Sequence, residues 1–173
     1  MNLTEKLNRR YASKMMNGTS IDTQKAENIL EAIRLAPTSL GLQPFTVFVI
    51  KSQEMKEKIF NLAATGQPQI PTCSHLLVFA ANTSINPEML DEYFELFKSA
   101  RTLPKEKSEG FRKMLNYLLM RSDADNFNWA ARQAYIALGF GLVAAAAENV
   151  DTVPIEGFNS KELDSILELE EKN

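Results

Sequence analysis

The chain has 173 residues, 45% hydrophobic and 24% charged, with a net charge of -3 and a pI near 5.3. That suits a single domain with its own core, and it excludes a global basic field for nucleic acid. One cysteine and one histidine exclude an internal disulfide and any zinc site of ordinary cysteine and histidine spacing, so no metal is expected.

Met1 to Lys14 is polar and charged, without the apolar core of a signal peptide. No stretch approaches the ~20 apolar residues of a membrane span. Together with the lone Cys73, this leads to an expected cytoplasmic location. Leu3 to Arg10 reads as a short helix ending in a basic cluster. Asp22 to Leu35 carries Ala26, Ile29, Leu30 and Ile33 at helical spacing, with Asp22 as the N-cap. Pro37 ends it. Thr46 to Ile50 is a compact strand, and Gln53 to Ala63 returns to helix.

Thr65 to Thr72 is interrupted by Gly66, Pro68 and Pro71 and reads as a loop. His75 to Ala81 is a second buried strand. Pro87 to Ser99 and Lys105 to Arg121 are helical, with an exposed polar segment between them. Phe127 to Asn149 is a helix apolar nearly all round, which predicts burial on every side, as a central core helix or a dimer interface. Pro154 to Phe158 is a rigid loop, and Asn159 caps a last helix with Glu162 three residues on.

Four segments carry chemistry. Arg9, Arg10 and Lys14 place three cations within six residues, the chemistry of phosphate recognition or of a solvated helix end. Pro37 to Phe45 offers the hydroxyls of Thr38 and Ser39, Gly41 and the Gln43 amide where a strand begins. Gln67 and Gln69 can donate and accept at once, which suits the uracil-like edge of a flavin. In Pro154 to Phe158, glycine permits close backbone approach and proline stiffens the turn. Each of these also reads as an ordinary cap, turn or surface loop when taken alone. His75 reads as a core or edge histidine, and Cys73 as buried rather than nucleophilic.

Taken in order, the segments resemble the FMN-dependent nitroreductase family. The series is Arg9-Arg10-Tyr11-Ala12-Ser13-Lys14, then Pro37-Thr38-Ser39 through Gln43-Pro44-Phe45, Ser74-His75 opening a strand, Trp129 to Gln133, and Val153 to Phe158. The resemblance implies an α+β fold, a central sheet wrapped by helices in three α/β/α layers, spanning residues 1–173 as one domain. It also implies an intertwined homodimer with FMN at the interface. NADH or NADPH would be the reductant, and nitroaromatics, quinones or similar small molecules the acceptors, with hydride passing through flavin N5. The flavin carries the chemistry, so no side chain is an expected acid or base.

Carried onto this chain, the resemblance places Arg9, Arg10 and Lys14 at the phosphate or the pyrimidine side of the ring. Ala12 stands where many relatives have serine. Thr38, Ser39 and Gly41 would come from the partner subunit, with Leu40 close by. Gln67 or Gln69 would meet the ribityl chain or ring edge, and Gln133 would lie near the cofactor. The amides of Glu156 and Gly157 would face N5 and O4. Tyr11, Gln43, Pro154 and Ile155 belong to the same cofactor-binding segments, and Leu115 would line the acceptor channel.

Relatives also carry a further strand, a basic pair for the phosphate and an arm around the partner, all expected beyond Asn173. Two lost hydrogen bonds to a charged group would cost about 3–6 kcal/mol, or roughly two to four decades of affinity. The alternative expectation is therefore a truncated, weakly flavin-binding, non-catalytic remnant of the same fold.

Overall fold

Asp22, Ser52, Asn86 and Asn159 each cap a helix by accepting a backbone N–H, so polar residues set where most helices begin. The computed structural model describes residues 2–169. In chain order the elements are α1 (Leu3–Arg9), α2 (Thr23–Arg34), β1 (Phe45–Ile50), α3 (Gln53–Ala63), α4 (Gln69–Thr72), β2 (Leu76–Ala81), α5 (Pro87–Ala100), α6 (Lys105–Asn116), α7 (Asp123–Ala147) and α8 (Ser160–Leu167). The fold is α+β, with a small sheet wrapped by helices. Among the described residues the sheet has two strands, β1 and β2. The Asn82 amide donates to the Pro44 carbonyl at 3.0 Å, so the end of β2 meets the start of β1 and the strands run antiparallel.

Three elements differ from the sequence expectation. Gln69–Thr72 is a helical turn rather than loop. Pro71 fits because it lies in the first turn, where backbone N–H groups have no intrahelical acceptor. The helix expected over Lys105 to Arg121 stops at Asn116 and tightens into a 3-10 turn, Tyr117–Met120. The Asn126 amide takes the Leu118 carbonyl at 2.9 Å and holds that turn. Finally, α7 starts four residues before its first aromatic residue. The Ser122 hydroxyl accepts from the Asp125 amide at 3.1 Å, an N-terminal cap that apolar periodicity does not register.

The chain divides into two compact units. One draws on the segments up to Ala36, from Val47 to Phe79 and from Ala137 onward; the other comprises Pro37–Thr46 and Ala80–Ile136. In the first, α8 turns Leu163, Ile166 and Leu167 onto Ile59 and Ala63 of α3, with Ile50 and Ile70 in the same cluster. Each such aliphatic side chain contributes about 1.5–3 kcal/mol on burial. In the second, Leu42, Ile85, Leu90, Leu115, Leu118 and Trp129 form the core.

The expectation that α7 is buried all round is corrected. Its small residues Ala130, Ala134, Ala137, Gly141 and Ala145 recur at helical spacing and are buried. At Gly141 an added Cβ would stand 3.0 Å from the Ile33 side chain, so glycine sets how closely α7 approaches α2. Another face leaves Tyr135, Ile136, Phe140 and Val143 exposed, at 38–55%. Among the described residues, this face is the less covered side of the helix. By length (25 residues) and mean hydropathy (1.3) α7 also passes as a membrane span, which a search for uninterrupted apolar runs does not reveal. Its buried Asn126 and Gln133 both donate from the side-chain amide within the second unit, to the Leu118 and Trp129 carbonyls, while Asn126 Oδ1 is buried without a partner.

Candidate functional site

In the first unit, α1 ends at Arg9, and the chain then runs extended through Tyr11 and Ala12. Ala12 forms a parallel bridge with Thr152. That bridge sets the Arg9–Lys14 segment beside the segment that leads into Pro154–Gly157. The buried Ser13 donates from its hydroxyl to the Met15 carbonyl at 2.7 Å, and the Met16 amide donates to Thr72 Oγ1 at 3.2 Å.

Gln67 and Gln69 reach the same neighbourhood by a relay. The Gln69 side chain, 3% exposed, donates to Gln67 Oε1 at 2.7 Å, and Gln67 Nε2 donates to the Gly157 carbonyl at 3.0 Å. An added Cβ at Gly157 would stand 2.7 Å from Gln67 Nε2 and push that contact aside. Both glutamines thus hold the Gly157 turn, a role that flavin-edge chemistry alone does not suggest. Pro154, Glu156 and Gly157 are exposed, and Ile155 is half-buried against the first unit's core.

Two polar atoms in this neighbourhood are buried with no hydrogen-bond partner: Arg10 Nε and Thr152 Oγ1. They stand on the two segments that the Ala12–Thr152 bridge joins. An unmade buried hydrogen bond costs about 1–3 kcal/mol, so such atoms point to a ligand. A guanidinium N–H and a hydroxyl, each able to donate, suit an anionic oxygen. The residues present therefore fit a phosphate-bearing group such as FMN. Thr152 has no mark in the sequence beyond its place before Val153-Pro154.

In the second unit, Ser39–Gly41 forms a 3-10 turn with left-handed backbone at Leu40 (φ 58), Gly41 (φ 71) and again at Gln43 (φ 49). A non-glycine residue held there costs of order 1–3 kcal/mol, so the surroundings must impose it. They do so through two side chains. Gln133, 4% exposed, accepts from the Ser39 amide at 2.8 Å and donates to the Trp129 carbonyl at 3.0 Å. The Tyr93 hydroxyl donates to the Leu40 carbonyl at 2.7 Å, and an added Cβ at Gly41 would stand 2.6 Å from that hydroxyl. Gln133 is thus engaged in shaping the Thr38–Gly41 turn. Thr38 Oγ1 is buried with no partner, a third open polar position.

Tyr93 lies 53 residues from Leu40, and nothing in the sequence marks it. Burial pushes its phenol above the ordinary tyrosine value, with the Arg101 charge opposing. The folded state therefore holds this proton more tightly than the unfolded chain. Its stabilisation is present below about pH 10 and is lost as pH rises through the raised value. Tyr93→Phe is expected to cost about 1 kcal/mol at neutral pH and to remove this alkaline component. Urea melts of both proteins at about pH 8 and about pH 11 test it. A parallel fall in the two proteins would show that Tyr93 is not the group responsible.

Leu115, the expected channel residue, is 0% exposed in the core of the second unit. Its neighbours Met114 and Leu118 instead face an open cavity of about 300 Å³, together with Ser39, Leu40 and Trp129. His75 is half-buried with Nδ1 3.1 Å from Ser74 Oγ, and burial, then Lys51 and Lys56, pull its pKa down. Burial pushes the Cys73 thiol up, with the Lys56 charge opposing, which leaves it a poor nucleophile.

Residues 7–173 match the model of the nitroreductase family. YfkO of Bacillus subtilis, described as a proposed NAD(P)H nitroreductase, is 34% identical over 171 residues, covering 94% of this chain and 77% of that protein. A proposed NAD(P)H nitroreductase of Staphylococcus epidermidis is 31% identical, covering 91% of this chain and 74% of that protein. Among solved structures, the proposed nitroreductase YdfN of Bacillus subtilis superposes with a TM-score of 0.85 at 23% identity, covering 96% of this chain and 80% of that one. A proposed nitroreductase from Exiguobacterium sibiricum, solved in complex with FMN, gives a TM-score of 0.81 at 20% identity, covering 97% and 80%.

Proposed function

The chain belongs to the nitroreductase family, and from that premise we propose that it is an FMN-dependent oxidoreductase that acts as a homodimer with NADH or NADPH as reductant. The observation that carries this reading is the unpartnered Arg10 Nε and Thr152 Oγ1 on two bridged segments of the first unit. Arg10 would donate to the cofactor phosphate, with Arg9 and Lys14 adding charge from the same segment. The Pro154–Gly157 turn, braced by Gln67 and Gln69, would present its Glu156 and Gly157 amides to the ring edge. The Thr38–Gly41 turn, held in its left-handed form by Gln133 and Tyr93, would be offered to the cofactor of a second copy. Bound FMN would supply two-electron transfer to nitroaromatic, quinone or similar acceptors. The protein's share of the work is orientation, which is where rigid turns on a braced scaffold matter.

The exposed apolar face of α7 supports the second copy, because water-facing Ile136, Phe140 and Val143 gain most by covering one another across a two-fold axis. The test is the visible spectrum of the purified protein after addition of FMN and gel filtration, followed by NADH and NADPH oxidation with a nitroaromatic and a quinone. Retained yellow colour and acceptor-dependent oxidation are expected. A colourless protein without oxidation would reject the reading in favour of a non-catalytic remnant.

A further inference from the structure

The cavity of about 300 Å³ in the second unit is lined mostly by apolar and aromatic side chains, with Ser39 and one cation, Arg121. Leu40, Met114, Leu118 and Trp129 make its surface apolar, and the volume suits a single substituted ring. Arg121 also lines it. One guanidinium nitrogen of Arg121 donates to the Asp125 carbonyl at 2.8 Å, which fixes where the fork sits. The Asp125 carboxylate accepts from the Ser122 hydroxyl at 2.8 Å, and among the described residues no carboxylate forms an ion pair with Arg121. An apolar cavity with one positioned and unneutralised guanidinium selects an apolar molecule carrying one anionic group, because a planar fork meets a carboxylate in two hydrogen bonds.

We propose that this cavity is an acceptor pocket for single-ring, apolar compounds bearing one carboxylate, with Arg121 as the residue that selects the charge. The proposal rests on the oxidoreductase reading above for the word acceptor, while the binding itself does not require turnover. Trp129 is the chain's one tryptophan and lines the cavity, so its emission reports occupancy directly.

The experiment titrates the purified protein, without reductant, with 4-nitrobenzoate and with nitrobenzene, reading Trp129 emission after inner-filter correction. Both should quench, with 4-nitrobenzoate binding about tenfold more tightly, as expected for a charge-assisted pair at a partly exposed site. Arg121→Gln should erase that ratio while leaving the nitrobenzene response intact, and Arg121→Lys should keep a preference for the acid. The wild-type ratio should shrink as salt rises. Equal wild-type affinities, a preference untouched in Arg121→Gln, or no Trp129 response to either compound would overturn the proposal. Should Arg121→Gln lose the nitrobenzene response through misfolding, a salt-insensitive wild-type ratio would overturn it instead. Acceptor reduction without the carboxylate preference would sink this inference alone. Carboxylate-selective binding in a protein that never takes up FMN would sink only the oxidoreductase reading.

Discussion

Arg10→Ala is expected to weaken FMN binding by roughly 10- to 150-fold, while Lys6→Ala leaves it unchanged. The first figure follows from one lost hydrogen bond to a charged group, about 1.5–3 kcal/mol. Arg10 Nε is buried and unpartnered, on a segment bridged to Thr152. Lys6 belongs to the same basic stretch of sequence, yet its ammonium donates to the Ala147 carbonyl at the C-terminal end of α7. There it satisfies a helix-end acceptor and complements the helix dipole. Removing it should lower stability by about 0.5–1 kcal/mol and leave the flavin titration alone. Flavin fluorescence titrations of the two variants, each paired with a thermal melt, separate the roles. Equal losses of FMN affinity would undo the assignment of Arg10 to the phosphate.

If the proposed homodimer forms through α7, Phe140→Glu should convert it into a monomer and take the cofactor with it. Phe140 is 42% exposed on α7, between Ile136 and Val143, which are 38% and 39% exposed. Across a two-fold axis each substitution is made twice, so two carboxylates would lose solvent at once against an apolar surface. The apolar side chains would forfeit about 1.5–3 kcal/mol each if left in water. Light scattering at micromolar concentration is the measurement. A wild-type protein that is already monomeric and still holds FMN would remove both α7 and the Thr38–Gly41 turn from the proposed interface.

The helices were legible wherever a cap and an apolar period coincide, as at Asp22 with Ala26, Ile29 and Ile33. They were misjudged where one signal stood without the other. Ser122 caps α7 ahead of any apolar residue, and Pro71 is tolerated only because of its position in the turn. The loop motifs were legible only as an ordered series, through their resemblance to the nitroreductase family, since each alone also reads as an ordinary cap or turn. Their supports were not. Tyr93 holds Leu40 from 53 residues away, and Gln133 holds Ser39 from 94.

Arg9, Arg10 and Lys14 show the same division. By itself the sequence determined that three cations fall within six residues from the end of the first helix, because charge is a property of residue type. It could not say which of them is solvated and which is buried. Only the tertiary structure decided that Arg10 Nε is enclosed without a partner and that Lys6 is occupied elsewhere. Burial and hydrogen-bond satisfaction depend on what distant segments bring alongside, and here those segments are Thr152 and the end of α7.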